Sequence, residues 1–246
     1  MTGDCHVQFG ERLAGKFRWP TCLDLVRTSK GPISEIADAL RKRLEPWLGK
    51  AKTDPTSRSF KMKFYFNPEN SPAIKLRIKI EINIEESFSI LDRSSKEFSV
   101  QSDWFAGNAK INTFHFNELI ATKLRALYQR SKGRDVFDLW LALKHKDFNS
   151  SEAIRVFLEY MKKSGKIITK DMFEKNIALK LMEHSFMDDI GPLLSFDLKK
   201  THSTPITTEN GFFLTTEDGE HMSTEGWSLT DAAEEIQNKI LLHLPE

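Results

Sequence analysis

The chain has 246 residues, 39% hydrophobic and 29% charged, which is enough apolar material for one large domain or two small ones and excludes a collagen-like or wholly disordered chain. Formal net charge is +1, but residues 1–146 carry +9 and residues 147–246 carry −8. A basic front part suits an anionic partner such as a nucleotide or RNA, although lysines and arginines that simply cover solvated faces give the same count.

No apolar run reaches the roughly 18–20 residues of a membrane span, and the first ten residues lack the basic and apolar regions of a signal peptide. Cys5 and Cys22 make neither a disulfide framework nor a zinc motif. The expectation is a soluble cytoplasmic protein with reduced thiols and no membrane partner.

In chain order, the apolar Leu23-Asp24-Leu25-Val26 reads as a strand, and Gly31-Pro32 breaks it. Ser34 is placed to cap a helix reaching Leu48, with Ile36, Leu40, Leu44 and Trp47 as its apolar stripe. Lys50 to Ser59 is polar, contains Pro55 and reads as a loop. Phe60 to Phe66 alternates apolar and polar side chains. Ile74 to Asn83 does so more strictly, with Lys75, Arg77, Lys79, Glu81 and Asn83 on one face. Glu86 to Val100 adds one or two shorter strands.

The rest is mostly helical. Helices are predicted over 118–130, 135–144, 151–162, 170–182 and 230–244. Asn210-Gly211 suggests a hairpin inside the threonine-rich stretch Thr201 to Ser228, whose role in partner binding the sequence leaves open. His115 reads as a strand or linker residue, and the five tryptophans as core or interface residues. The layout is α+β, with a mixed α/β unit over 1–110 and an α-helical unit over 111–246.

Two constellations carry charge in a pattern that chemistry could use. On the long strand, Glu81 and Lys79 lie two residues apart and so share a face. A carboxylate beside an ammonium suits magnesium and phosphate, although a row of polar residues on an edge or half-exposed sheet is also ordinary solvated decoration. Further on, Lys123, Arg130, Arg134 and Asp138 follow at steps of seven, four and four. They share one face if the helix runs on through Ser131-Lys132-Gly133. The alternative is a surface helix pair laced with ion pairs such as Arg134 with Asp138.

Lys123-Leu124-Arg125-Ala126-Leu127-Tyr128-Gln129-Arg130, followed by Arg134-Asp135-Val136-Phe137-Asp138-Leu139, resembles the K-L-x-A-L-x-x-R and R-D-x-x-D-L signature of the AbiEii/AbiGii nucleotidyltransferase toxins. Lys79-Ile80-Glu81-Ile82-Asn83 is similar to the strand motif K-x-E-I-N of that family. The resemblance implies a polymerase beta-like mixed sheet followed by an α-helical domain. It implies a toxin of a toxin–antitoxin or phage-abortive system, moving a nucleotide from an NTP to an RNA acceptor, tRNA first among candidates, with Mg2+. An antitoxin would be encoded nearby.

By the same resemblance Asp24 and Glu81 would hold the metal, and Lys123 would touch the triphosphate. Asp138 would orient or activate a hydroxyl, and Gly3, Lys79 and Arg134 would bind nucleotide. At the first motif, where the family has R-x-S-x-D-x-D, this chain has Arg18-Trp19-Pro20-Thr21-Cys22-Leu23-Asp24. Proline stands for the serine and Cys22 for the first aspartate, and a thiol is a soft ligand where magnesium is hard. Thr2-Gly3-Asp4-Cys5 echoes the glycine motif only in part, and the expectation is a member short of the helical sequence usual before it. The alternative expectation is therefore a degenerate or truncated member that binds NTP or RNA with little turnover. A plain RNA- or protein-interaction module using the basic front half is the third.

Overall fold

The computed structural model describes residues 5–8, 20–28, 31–67, 75–101, 106–190 and 228–246, which gather into two compact units, one up to Phe114 and one from His115. The hairpin expected around Asn210-Gly211, Gly3, Trp19, Trp104 and Trp227 lie outside the described residues.

The first unit is built on a five-stranded mixed sheet. Its strands are β1 (Cys5–Gln8), β2 (Pro20–Arg27), β3 (Lys52–Pro55), β4 (Ser59–Phe66) and β5 (Leu76–Asn83), in the spatial order β1-β2-β5-β4-β3. Only β2 and β5 run parallel. The strict alternation in β4 and β5 turns Phe60, Met62, Phe64, Ile80 and Ile82 to one face. Helix α1 (Ile33–Leu48) lies over them, adding Ala37 and Leu48 to a core that also takes Leu25. A separate ribbon pairs β6 (Ser94–Gln101) with β7 (Ala106–Thr113).

The long strand β5 is central in the sheet, so of the two settings expected for its polar residues they belong to a partly exposed sheet face. Three expectations change here. Lys50 to Ser59 holds the strand β3, whose four residues are all exposed and therefore carry no apolar alternation to read. Ser34 lies inside α1, and Pro32 stands at the N-cap without a side-chain hydrogen bond. Its ring supplies the extended backbone that a helix entry needs. Trp47 is 68% exposed, while Leu48, one step round the helix and four beyond Leu44, takes the buried place.

The second unit is helical, with α2 (Phe116–Gln129), α3 (Arg134–Ala142), α4 (Ser150–Lys163), α5 (Lys170–Leu181), the short α6 (His184–Asp188) and α7 (Leu229–Lys239) closed by a 3-10 turn. Side-chain caps set the starts of four helices: His115, Asn149, Thr169 and Ser228 each accept from a backbone N–H in the first turn. His115 is thus a cap rather than a strand residue. No described helix is long and apolar enough to cross a membrane.

The interruption expected at Gly133, between helices predicted over 118–130 and 135–144, is present. Arg130 is extended (φ −132°, ψ 158°), which ends α2, and α3 starts afresh at Arg134. Gly133 is required by close approach: a Cβ there would press into the carbonyl oxygen of Phe186 and lie 2.8 Å from Leu229 Cδ1.

Candidate active site

In the first unit, the sheet face away from α1 carries its polar residues in rows fixed by strand register. Asp24 of β2 is directly opposite Glu81 of β5, Glu81 opposite Lys61 of β4, and Lys61 opposite Asp54 of β3. The next row, two residues along, is Cys22, Lys79, Lys63 and Lys52. Paired residues on neighbouring strands project to the same side, so Asp24 and Glu81 form an adjacent carboxylate pair. The parallel pairing of β2 with β5 brings them together across 57 residues of sequence.

Glu81 is well defined. Lys79 Nζ donates to its Oε2 at 2.7 Å, and Lys61 Nζ is 3.5 Å from its Oε1. Partial burial pushes its carboxyl up, but the hydrogen bond and charge of Lys79, then the charge of Lys61, outweigh this and hold it below its ordinary value. It is an anion at neutral pH. Lys61 was absent from the expected site, although its place in the Phe60–Phe66 alternation signals which face it shares.

Two carboxylates side by side offer hard oxygen donors. Such a pair fits a magnesium ion, which is commonly held by one or two carboxylates together with substrate phosphates. Among the described residues no group of three or more His, Cys, Asp or Glu is arranged to hold a metal. Cys22 occupies the register position opposite Lys79, two residues before Asp24, where a further carboxylate would complete a shared-metal pair.

In the second unit, Lys123 of α2 donates to Asp138 of α3 at 2.5 Å. The two share a face although the helix breaks between them, because α3 folds back against α2, and Asp138 pairs with Lys123 rather than with the expected Arg134. Burial pushes the Asp138 carboxyl up, and the charge and hydrogen bond of Lys123 only partly offset it, so the net shift is upward. The other two members of the motif part from this pair. Arg130 reaches the fully buried Asp135 with Nε to Oδ2 and Nη2 to Oδ1, both 2.7 Å. Arg134 lies 3.7 Å from Asp189 through Nε, and its backbone N–H donates to the same carboxylate at 3.4 Å.

Asp135 was not among the expected site residues, and its complete burial in a bidentate ion pair marks it as a brace. The same holds for Glu118, which is fully buried and accepts from the Tyr160 hydroxyl at 2.7 Å. Lys180, also buried, donates to the terminal carbonyls of α2 at Leu127 and, at 3.0 Å, Tyr128. Burial lowers its pKa to about 8.

Residues 23–214 match the family model described as nucleotidyl transferase AbiEii toxin, type IV TA system. Among solved structures, the chain is similar to MenT4, a nucleotidyltransferase toxin from Mycobacterium tuberculosis, with 13% identity, 98% of this chain and 76% of that chain covered, and a TM-score of 0.43. It is also similar to JHP933 from Helicobacter pylori, with 14% identity, 73% and 72% of the two chains covered, and a TM-score of 0.41. Comparison with curated proteins gives no match.

Proposed function

This chain belongs to the AbiEii family of nucleotidyltransferase toxins of type IV toxin–antitoxin systems, and on that premise we propose that it transfers a nucleotide from an NTP to the 3′ end of an RNA, tRNA first among acceptors, with Mg2+. The observation that carries the proposal is the Asp24–Glu81 register pair on the polar sheet face. Asp24 and Glu81 are the residues that would hold the metal. When bound, the ion stabilises charge on the oxygens of the phosphoryl group in flight.

Lys79, besides holding Glu81 ionised and oriented, supplies an ammonium for phosphate. Lys123 serves the triphosphate. Asp138, whose carboxyl burial pushes above its ordinary value, orients the attacking hydroxyl. Arg134 adds positive charge for nucleotide binding, and Gly3 belongs to the segment assigned to nucleotide binding. The reaction would take place in the cytoplasm, with an antitoxin encoded in the same locus.

The test incubates the purified protein with radiolabelled NTPs, tRNA and Mg2+. Labelled RNA is expected from the unaltered chain, and none from Asp24→Ala or Glu81→Gln. Transfer that survives both variants overturns the assignment.

Cys22 opposite Lys79 favours a second reading, in which the chain binds NTP or RNA with little turnover. A thiol at that position loses a hard ligand and with it several kcal/mol of transition-state stabilisation, about 10²–10³ in rate. No label from the unaltered chain, with transfer restored by Cys22→Asp and Pro20→Ser together, selects this reading.

A further inference from the structure

The polar sheet face is segregated. Acidic residues Asp24, Glu81 and Asp54 all lie in one row with Lys61. The row beside it has three lysines on three consecutive strands, Lys79, Lys63 and Lys52. With neighbouring strands about 4.8 Å apart, this ladder runs about 10 Å across the sheet, from beside Glu81 out to the edge strand β3. One step further along, Arg77 is opposite Tyr65. Tyr65 is an exposed aromatic, and the ammonium groups of Lys52 and Lys75 lie 5.6 and 5.3 Å from its ring centroid.

This ladder is larger than the carboxylate pair needs. Lys79 is engaged with Glu81, but Lys63 and Lys52 are one and two strands farther away. The acid nearest them is Asp54, 3.4 Å from Lys63 and more than half exposed. Such solvated contacts are weak and yield readily to a phosphate. A row of cations beside a π face is the composition of a single-strand platform, in which the cations follow the backbone and a base stacks on the ring.

We propose that Lys79, Lys63 and Lys52, with Tyr65 beside them, form a track for single-stranded RNA that leads from the edge of the sheet to the carboxylate pair. The inference rests on the transferase reading only for the identity of that strand as the acceptor. The binding itself needs neither NTP nor metal.

The experiment measures binding of a fluorescently labelled single-stranded RNA oligomer by anisotropy over a salt series, without NTP or Mg2+. The Lys52→Gln/Lys63→Gln double variant is expected to weaken binding and to reduce the slope of log affinity against log salt by about 1.4, two phosphate contacts at about 0.7 each. Lys42→Gln, on the exposed side of α1, removes a charge from the other face and should leave the slope unchanged. Tyr65→Ala should cost about tenfold in affinity, and Tyr65→Phe should restore most of it.

A parallel titration with NTP and Mg2+ separates the other source of phosphate. If the lysine variants weaken NTP binding as much as RNA binding, the row is a triphosphate site and the track is overturned. An unchanged RNA affinity and slope in folded variants, checked by circular dichroism, also overturns it. A chain that binds RNA through this row yet transfers nothing would overturn the transferase reading and leave the track standing.

Discussion

The two units use charge in opposite ways. On the sheet of the first, charged side chains are shared among several partners and remain in reach of solvent: Glu81 faces two lysines, and Lys63 and Asp54 meet at 3.4 Å. The helices of the second also carry exposed ion pairs, but beneath them a set of carboxylates and a lysine is buried and held by bidentate or capping geometry, as in Arg130 with Asp135, Tyr160 with Glu118, and Lys180 on the carbonyls of α2. A charge that must meet a substrate cannot be fully committed to the fold, and one that braces the fold must be. The R-D-x-x-D motif divides along this line within five residues: Asp135 is fully buried as a brace, and Asp138, paired with Lys123, keeps about a quarter of its side chain in solvent.

The largest effect expected from this contrast follows removal of a brace. Arg130→Ala leaves the fully buried Asp135 without its bidentate partner and with only Lys123 at 4.0 Å, and breaking a buried pair in this way costs about 3 kcal/mol. Urea unfolding would read this as a lower midpoint at unchanged slope. A loss below about 1 kcal/mol would place Asp135 with the loosely held charges of the sheet. Gly133→Ala comes next, at up to about 3 kcal/mol, since its new methyl meets backbone at Phe186, which has little room to give. The same unfolding measurement checks it.

Lys180 gives a pH signature to the second unit. Its folded pKa is about 8 against an ordinary 10.5, so between these values the unfolded chain binds the extra proton. Stability therefore rises with pH across that window, by about 2–3 kcal/mol from this group if the unfolded chain has the ordinary value. Lys180→Met should flatten the rise between pH 8 and 10.5 whatever it does to the stability at pH 7. A rise that persists in the variant assigns the effect to another group.

Much of this contrast was legible in the residues, and the part that was not has physical causes. The alternation of Ile78, Ile80 and Ile82 with Lys79 and Glu81 fixes both the strand and its chemical face. The partner of Glu81 was reached by motif resemblance, and its adjacency rests on β2 pairing parallel to β5, a long-range choice that local pattern does not encode. Strand β3 was invisible because an exposed strand needs no apolar alternation. The interruption at Gly133 was legible, but a shared face for Lys123 and Asp138 was tied to a helix continuing through it, and the pair instead forms across the break. A spacing compatible with one helix face is also compatible with two helices folded together, and the extended backbone of Arg130 sets the second arrangement.

The smallest stability effect belongs to Glu81, the residue proposed to hold the metal. Glu81→Gln removes an anion from between Lys79 and Lys61, but all three side chains keep a quarter or so of their surface in solvent. Partly solvated pairs of this kind contribute about 1 kcal/mol or less, so unfolding at pH 7 should barely change while nucleotide transfer disappears. The sign with pH is opposite to that of Lys180. The carboxyl of Glu81 is held below its ordinary 4.5, so whatever stability it adds is present above that pH and fades as the pH falls through its lowered value. A Glu81→Gln protein that unfolds as readily as Arg130→Ala would make the sheet face a brace as well. One that keeps its stability and loses transfer would show that this charge is kept for substrate rather than for the fold.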